Sequence, residues 1–347
     1  MKLVIQIPCW NEGNCLGETL LALPRQIVGI DVIEVLVIDD GSSDDTVAIA
    51  RTNGAHHVVR LPQHRGLAEA FATGLDAALQ LGADIIVNTD ADHQYPGAEI
   101  PNLVRPIVEG RADLVIGNRQ TDKLKEFSAA KRWLQRWGSR LTRGLSGTDV
   151  ADSPSGFRAL NRKCALGLFV HNRFTYTLES VIAAGQQGLA IVNVPIQTNP
   201  SRRPSRLFRS VPEYLRRAGP VLFRSYAMYR PTRLVGVLVL VLFCFGAITA
   251  GRFLYHYLKN PSYSGYTQSL VLGMGALVIA VVLAGAALLA ELIASNRRLL
   301  EDIRTRVRRL EGAAAAKPEQ LKRAGIEPTG EKPWQFEPPE AAKGSGA

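Results

Sequence analysis

A chain of 347 residues with a formal net charge of +10 is long enough to bury a full α/β domain and leave material over. Its basic excess asks for an anionic partner: nucleic acid, anionic lipid or a phosphate-bearing substrate. Cys9, Cys15, Cys164 and Cys244 show no C-x-x-C pair and no histidine-rich spacing, which argues against a disulfide framework or a zinc site and for a reducing compartment.

Leu3 to Ile7 reads as an apolar strand stopped by Pro8, and the turn Asn11-Glu12-Gly13-Asn14 leads into a helix containing Thr19, Leu20, Leu21 and Leu23. Because Met1 to Pro8 is already strand-like, no signal peptide is expected and the N-terminal domain is expected in the cytoplasm. A second strand, Ile33 to Ile38, ends in Asp39-Asp40-Gly41-Ser42-Ser43-Asp44 and continues into a helix from Asp45 to Asn53, with Ser43 or Asp44 as its cap. Val58 to Leu61 makes a third strand, followed by a helix from Arg65 through Leu79. Asp84 to Val87 and Ala112 to Gly117 are the next strands, with Ala190 to Pro195 as the last. Strands alternating with helices imply a mostly parallel α/β sheet with ligand groups at the C-terminal strand ends.

The strand before Asn88 runs into Asn88-Thr89-Asp90-Ala91-Asp92-His93-Gln94-Tyr95-Pro96. Asp90, Asp92 and Gln94, each two apart, can gather three oxygen ligands around one hard cation, which in turn can bridge a diphosphate. An Asp-x-Asp tripeptide is also an ordinary acidic turn, so context decides. Polar clusters stand at two other strand ends, Trp10 to Asn14 and Asp39 to Asp44. The first turn, Cys9-Trp10-Asn11-Glu12-Gly13-Asn14, lacks G-x-G-x-x-G, and there is no G-x-x-x-x-G-K-[ST]; both facts count against dinucleotide-binding dehydrogenases and P-loop enzymes.

Between Arg119 and Asp152 the chain is basic and aromatic, with Trp133, Trp137 and Leu141 at helical spacing. Asp152-Ser153-Pro154-Ser155-Gly156-Phe157-Arg158 follows, then a helix with Tyr176, Glu179 and Ile182. Glu179 reads either as a buried structural carboxylate or as a site residue. From Arg202 to Arg233 arginines interleave with apolar residues against the single acid Glu213, a pattern of short amphipathic helices lying on an anionic leaflet. Leu234 to Gly251 and Leu270 to Ala290 are apolar runs of about the ~20 residues a bilayer core requires. Arginines flank the pair on the side away from the short link, at Arg230, Arg233, Arg297 and Arg298, so both termini are expected in the cytoplasm. Ala276, Ala280 and Ala284 with Gly273 and Gly285 would admit a second helix at close range, as in a homo-oligomer. Asn296 to Leu310 is a charged helix with an apolar stripe, suited to a coiled coil between protomers or to an interface. The Ala-, Pro-, Glu- and Lys-rich remainder reads as disordered.

The motifs Pro8-x-x-Asn11-Glu12, Val37-Ile38-Asp39-Asp40-Gly41-Ser42-x-Asp44, Arg65-Gly66-x-x-x-Ala70, Asp90-Ala91-Asp92-x-Gln94-x-x-Pro96, Gly117-Asn118-Arg119 and Ser155-Gly156-Phe157-Arg158 resemble, in the same order, those of family 2 glycosyltransferases of the GT-A fold. The resemblance is to polyprenyl-phosphate glycosyltransferases similar to dolichol-phosphate mannose synthase and bactoprenol glucosyltransferase. It implies a GT-A catalytic domain over 1–201, juxtamembrane helices over 202–233, two transmembrane helices over 234–293 (about 234–256 and 268–293), a charged helix over 294–312 and a tail over 313–347. It further implies that Pro8, Trp10, Glu12, Ile38, Asp40, Asp90 and Ala91 hold the nucleotide sugar, and that Asp90, Asp92 and Gln94 hold Mg²⁺ or Mn²⁺. The acceptor phosphate would meet Arg119, Arg140, Arg202 and Arg206, with Asp152 and Arg119 near the reacting centre and Arg158 pinning its loop by a salt bridge. Ser205-Arg206-Leu207 stands where the family has Ser-Lys-Leu, which preserves charge and changes geometry.

The expected reaction is inverting, metal-dependent transfer of one sugar from a nucleotide diphosphate to a polyprenyl phosphate at the cytoplasmic leaflet of the plasma membrane. A phosphate monoester, with its second pKa near ~6, is largely dianionic at neutral pH and needs cationic positioning more than a general base. Two helices are few for a built-in flippase, so a separate one is expected. A nucleic-acid partner is not expected, because the acidic sheet edge would repel a phosphate backbone. A processive polysaccharide synthase would show Q-x-x-R-W, whereas the nearest text is Leu134-Gln135-Arg136-Trp137. A catalytically silent scaffold would tolerate loss of the acidic ligands, and all three are present.

Overall fold

The structure is a computed structural model and describes residues 1–119, 152, 154–169, 176–200, 219, 231–260, 266–314, 321–322 and 324–335. Strand β1 (Lys2–Cys9) sends Leu3, Ile5 and Ile7 into one apolar cluster and Val4 into another, all fully buried. A strand apolar on both sides needs cover on both faces, as in a parallel α/β sheet. The cover is α1 (Gly13–Leu21), α2 (Thr46–Thr52), α3 (Leu67–Gln80) and α4 (Ile100–Val108), alternating with β2 (Val32–Asp39), β3 (His57–Arg60), β4 (Ile85–Asn88) and β5 (Leu114–Asn118). After them come β6 (Arg158–Asn161), α5 (Arg162–Gly167), α6 (Thr177–Gln186) and β7 (Ile191–Pro195).

The sheet order is β7-β5-β6-β4-β1-β2-β3, continued by a C-terminal strand. Pairings β1 with β2 and β4, β2 with β3, and β5 with β7 are parallel, while β6 lies antiparallel between β4 and β5. This is the expected mostly parallel GT-A sheet. Pro8 does not stop β1, which continues to Cys9. The ladder to β4 ends at Gln6, so Pro8 keeps its register with Ile38 of β2 where no donor towards β4 is needed. The sequence pattern did not reveal β6, since its four residues begin with an arginine. Its register sets Arg158 opposite Asn88 and so carries the Ser155-Gly156-Phe157 motif to the end of β4.

The chain divides into two compact units, Met1–Ala218 with Arg304–Ala347, and Gly219–Ile303. In the first, the described residues 324–335 of the tail expected to be disordered carry two strands. Strand β8 (Ile326–Pro328) adds antiparallel to β3, and β9 (Trp334–Gln335) pairs with the start of β2. Ile326 is buried, Trp334 packs edge-on against His56 at 5.1 Å, and the His56 ring is bonded between Val35 N–H and the Lys332 carbonyl at 2.9 Å each. An open sheet edge is a template for pairing, and here the chain's own C-terminal segment fills it. Arg308 in the same unit bonds the Leu168 carbonyl at 3.0 Å and Asp76 at 2.8 Å, and Arg304 and Arg308 both lie over the Phe169 ring.

The second unit holds α7 (Pro231–Lys259) and the part of α8 (Thr267–Ala314) up to Ile303. Both contain a stretch long and apolar enough to cross a membrane, Val235–Lys259 and Thr267–Leu310. The charged segment over 294–312 is no separate element, because α8 runs through it unbroken. Gly273 faces Gly246 and Thr249, where a Cβ would come within 2.5 Å of the Thr249 hydroxyl, and Ala276 and Ala280 are buried. Gly273, one of the small residues expected to admit another helix, thus serves the packing of α7 on α8, while Ala284 and Gly285 are exposed. Of the juxtamembrane segment over 202–233, residues 202–218 and 220–230 lie outside the described residues.

Candidate active site

The acidic loop after β4 is held from several sides. The Thr19 hydroxyl donates to the Ala91 carbonyl at 3.0 Å, Gln94 N–H donates to Asp92 Oδ1 at 3.1 Å, and His93 adopts a left-handed φ of 57°. Beneath the loop, buried Asn88 donates to the Gly156 carbonyl at 2.9 Å and to Tyr176 Oη at 3.0 Å, and accepts from Gln6 at 2.9 Å. Tyr176 is stacked on Phe71 with ring centroids 3.8 Å apart. A Cβ on Gly156 would stand 3.0 Å from Tyr176 Oη and 3.1 Å from Asp90 Oδ1; the motif passes close against the carboxylate at this glycine.

Burial, then the neighbouring Asp92 charge, pushes the Asp90 carboxyl up to about 7 against the opposing charges of Arg119 and Arg158. Two crowded carboxylates are costly together unless a cation joins them. Among the described residues no three His, Cys, Asp or Glu side chains converge into a closed cage. Two hard carboxylates with open coordination suit Mg²⁺ or Mn²⁺, which take one or two carboxylates and complete the shell with substrate phosphate and water. The residues present therefore fit the implied cation, with Asp90 and Asp92 as the holders.

At the end of β5 the charges are already matched. Arg119 Nε and Nη2 bond Asp152 Oδ2 and Oδ1 at 2.8 and 2.9 Å, and the Arg119 backbone N–H adds a third bond at 3.2 Å. The Asp152 side chain is 1% exposed and that of Arg119 21%. Burial alone would lower the Arg119 pKa, but its interactions with Tyr95 and the hydrogen bonds and charge of Asp152 raise it, so the guanidinium is charged. Tyr95 stacks on Phe157 at 4.8 Å, and burial pushes its phenol up to about 12. Arg158 is fully buried and donates to the Thr177 and Ser155 carbonyls and the Ser180 hydroxyl, bonds that tie the loop before β6 to α6.

The nucleotide-side residues divide. Asp40 spends both oxygens on the backbone N–H groups of Arg65 and Gly66, each at 2.8 Å, and has the His64 imidazole at 2.8 Å. It therefore shapes the His64–Gly66 turn, where Gly66 has φ 98°. His64 stacks on half-exposed Trp10 at 4.0 Å, making a flat aromatic surface at the end of β1 that motif reading missed. Glu12 donates its N–H to the Thr46 hydroxyl at 2.9 Å and its carbonyl starts α1. Pro8, Ile38 and Ala91 are buried, with Ile38 and Ala91 in the two apolar clusters; their side chains pack the walls of the site. Glu179 is buried on α6. Arg140, Arg202 and Arg206 lie outside the described residues. Asn88, a polar residue ending an apolar strand, carried a signal that could have been read; His64 carried none.

The mostly parallel sheet thus carries an acid pair beyond β4 and a guanidinium fork beyond β5. The model of glycosyl transferase family 2 matches residues 4–167. An uncharacterized protein of Methanocaldococcus jannaschii is 33% identical over 57% of this chain and 81% of its own length. Undecaprenyl-phosphate mannosyltransferase of Micrococcus luteus is 29% identical over 56% of this chain and 83% of its own, and the UDP-N-acetylglucosamine–dolichyl-phosphate N-acetylglucosaminyltransferase of Methanococcus voltae is 29% identical over 55% and 83%. The chain belongs to glycosyl transferase family 2 and is a glycosyltransferase.

Proposed function

We propose that this enzyme transfers a single sugar, with inversion, from a UDP- or GDP-linked donor to a polyprenyl phosphate at the cytoplasmic leaflet. The observation that carries the reading is the charge contrast between the ends of β4 and β5: a buried, mutually repelling acid pair at Asp90 and Asp92, and the charged, fork-held Arg119. The two apolar helices and the lipid-phosphate acceptors in the relatives' names support it.

A divalent cation on Asp90 and Asp92, with Gln94 beside them, would stabilise charge developing on the leaving diphosphate. The Trp10–His64 surface and Glu12 would hold the nucleoside. Arg119 uses Nε and Nη2 on Asp152, so its Nη1 edge is the part offered to an acceptor phosphate. Arg140, Arg202 and Arg206 would complete that anion site. Asp152, with both oxygens engaged by Arg119, orients the guanidinium rather than taking a proton. The test is incubation of the detergent-purified protein with Mg²⁺ or Mn²⁺, undecaprenyl phosphate and radiolabelled UDP- and GDP-sugars, followed by solvent extraction. Label in the lipid phase from one donor, abolished by Asp92→Ala, is the expected result. Label in a polymer, or in no lipid despite nucleotide binding, would overturn the acceptor.

A further inference from the structure

The acidic loop is fixed by a residue that none of the motifs contains. Beyond β7 the chain crosses to the loop, where Asn199 Nδ2 donates to the His93 carbonyl at 2.9 Å and Asn199 N–H donates to the Gln94 carbonyl at 2.9 Å. Two residues earlier, Gln197 N–H donates to Glu99 Oε1 at 3.3 Å, just past the loop's far end. His93 holds φ at 57°, a strained conformation that a non-glycine residue keeps only where its surroundings enforce it. The left-handed turn at His93 sits between Asp92 and Gln94, so its collapse would separate the two side chains.

We propose that Asn199 is the positioning residue of the cation loop: its amide and backbone N–H lock the His93 turn that keeps Asp92 and Gln94 beside Asp90. The inference rests on the proposed cation site. Asn199 touches neither substrate nor cation; it acts through the carbonyls of residues 93 and 94. Removing the side-chain donor frees the His93 carbonyl while the backbone bond to Gln94 survives, so the loop loosens without loss of the fold. Outer-shell partners of metal ligands typically affect metal affinity by roughly 10–100-fold.

The experiment compares the full-length wild type in detergent with Asn199→Ala and with the isosteric Asn199→Asp, which places a carboxylate oxygen against the His93 carbonyl. Mn²⁺ binding is followed by electron paramagnetic resonance in the presence of UDP or GDP, alongside the thermal midpoint and the Mn²⁺ dependence of sugar transfer. Mn²⁺ affinity should fall at least ~10-fold in Asn199→Ala and further in Asn199→Asp. Saturating Mn²⁺ should restore the rate of Asn199→Ala, with the thermal midpoint close to wild type. Unchanged Mn²⁺ affinity in both variants, with wild-type binding intact, would overturn this assignment alone, as would weakened binding that merely tracks a lowered thermal midpoint. Failure of the wild type to bind Mn²⁺ with either nucleotide would overturn the cation site itself and this inference with it.

Discussion

Two buried carboxylates of the site meet opposite fates. Asp90, after β4, is crowded by Asp92 and pushed up to about 7; Asp152 is closed in a bidentate fork with Arg119. The first arrangement is unfavourable until something positive arrives, and the second is complete in the protein alone. A ligand site is therefore marked by charges that the fold leaves unmatched, and a positioning element by charges that it matches.

The sharpest way to break that contrast is Asp92→Ala or Asp90→Asn. Either should lower transfer by roughly 100-fold or more, since even outer-shell partners cost 10–100-fold. Asp90→Asn should at the same time raise the thermal midpoint of the cation-free protein, because it removes one of two crowded charges; a midpoint that falls would contradict the reading of Asp90. At the fork the expected signs reverse. Arg119→Ala leaves buried Asp152 without its partner and should cost about 3–5 kcal/mol of stability, measured by chemical denaturation of the detergent-solubilised protein. Arg119→Lys keeps the charge, loses the two-pronged geometry and should show a smaller loss of stability with a raised KM for the lipid phosphate.

Smaller effects belong to the C-terminal segment, far from either carboxylate. Trp334→Ala should cost about 1–2 kcal/mol, below the range for a fully buried tryptophan, and speed amide exchange in Ile326–Pro328 with the transfer rate near wild type. The smallest is a pH effect at the same edge. Burial lowers the His56 pKa, and its ring is bonded as the neutral form between Val35 and Lys332. A histidine depressed in the fold contributes stability that is present above its unfolded value of ~6.5 and lost as pH falls through the folded value. The protection factor of the Ile326 amide, its exchange corrected for the intrinsic pH dependence, should accordingly fall on acidification below pH ~6.5, and His56→Gln should flatten that dependence.

The strands of the parallel core were legible because each is a short run of β-branched residues between turn signals, and the Asp90–Gln94 loop because its oxygens recur at every second position. Strand β6 was not, since Arg158 and Asn161 give it no apolar period and its place is assigned by the partners on either side. Strands β8 and β9 are two or three residues in a Pro-, Gly- and Glu-rich stretch; the open edge of β3, and not local propensity, makes Ile326 a strand. Motif matching named Pro8, Ile38 and Ala91 among the nucleotide contacts, and their side chains pack the walls. It passed over Asn199 and His64, whose roles arise from contacts made at a distance in the chain.

The most direct test of the unmatched acid pair is calorimetric titration of UDP and GDP into the wild-type protein and Asp90→Asn, with and without Mn²⁺. The account predicts that Mn²⁺ strengthens binding of one nucleotide to the wild type and that Asp90→Asn abolishes this dependence. Nucleotide binding that ignores Mn²⁺ in the wild type, or that keeps its full Mn²⁺ dependence in Asp90→Asn, would contradict it.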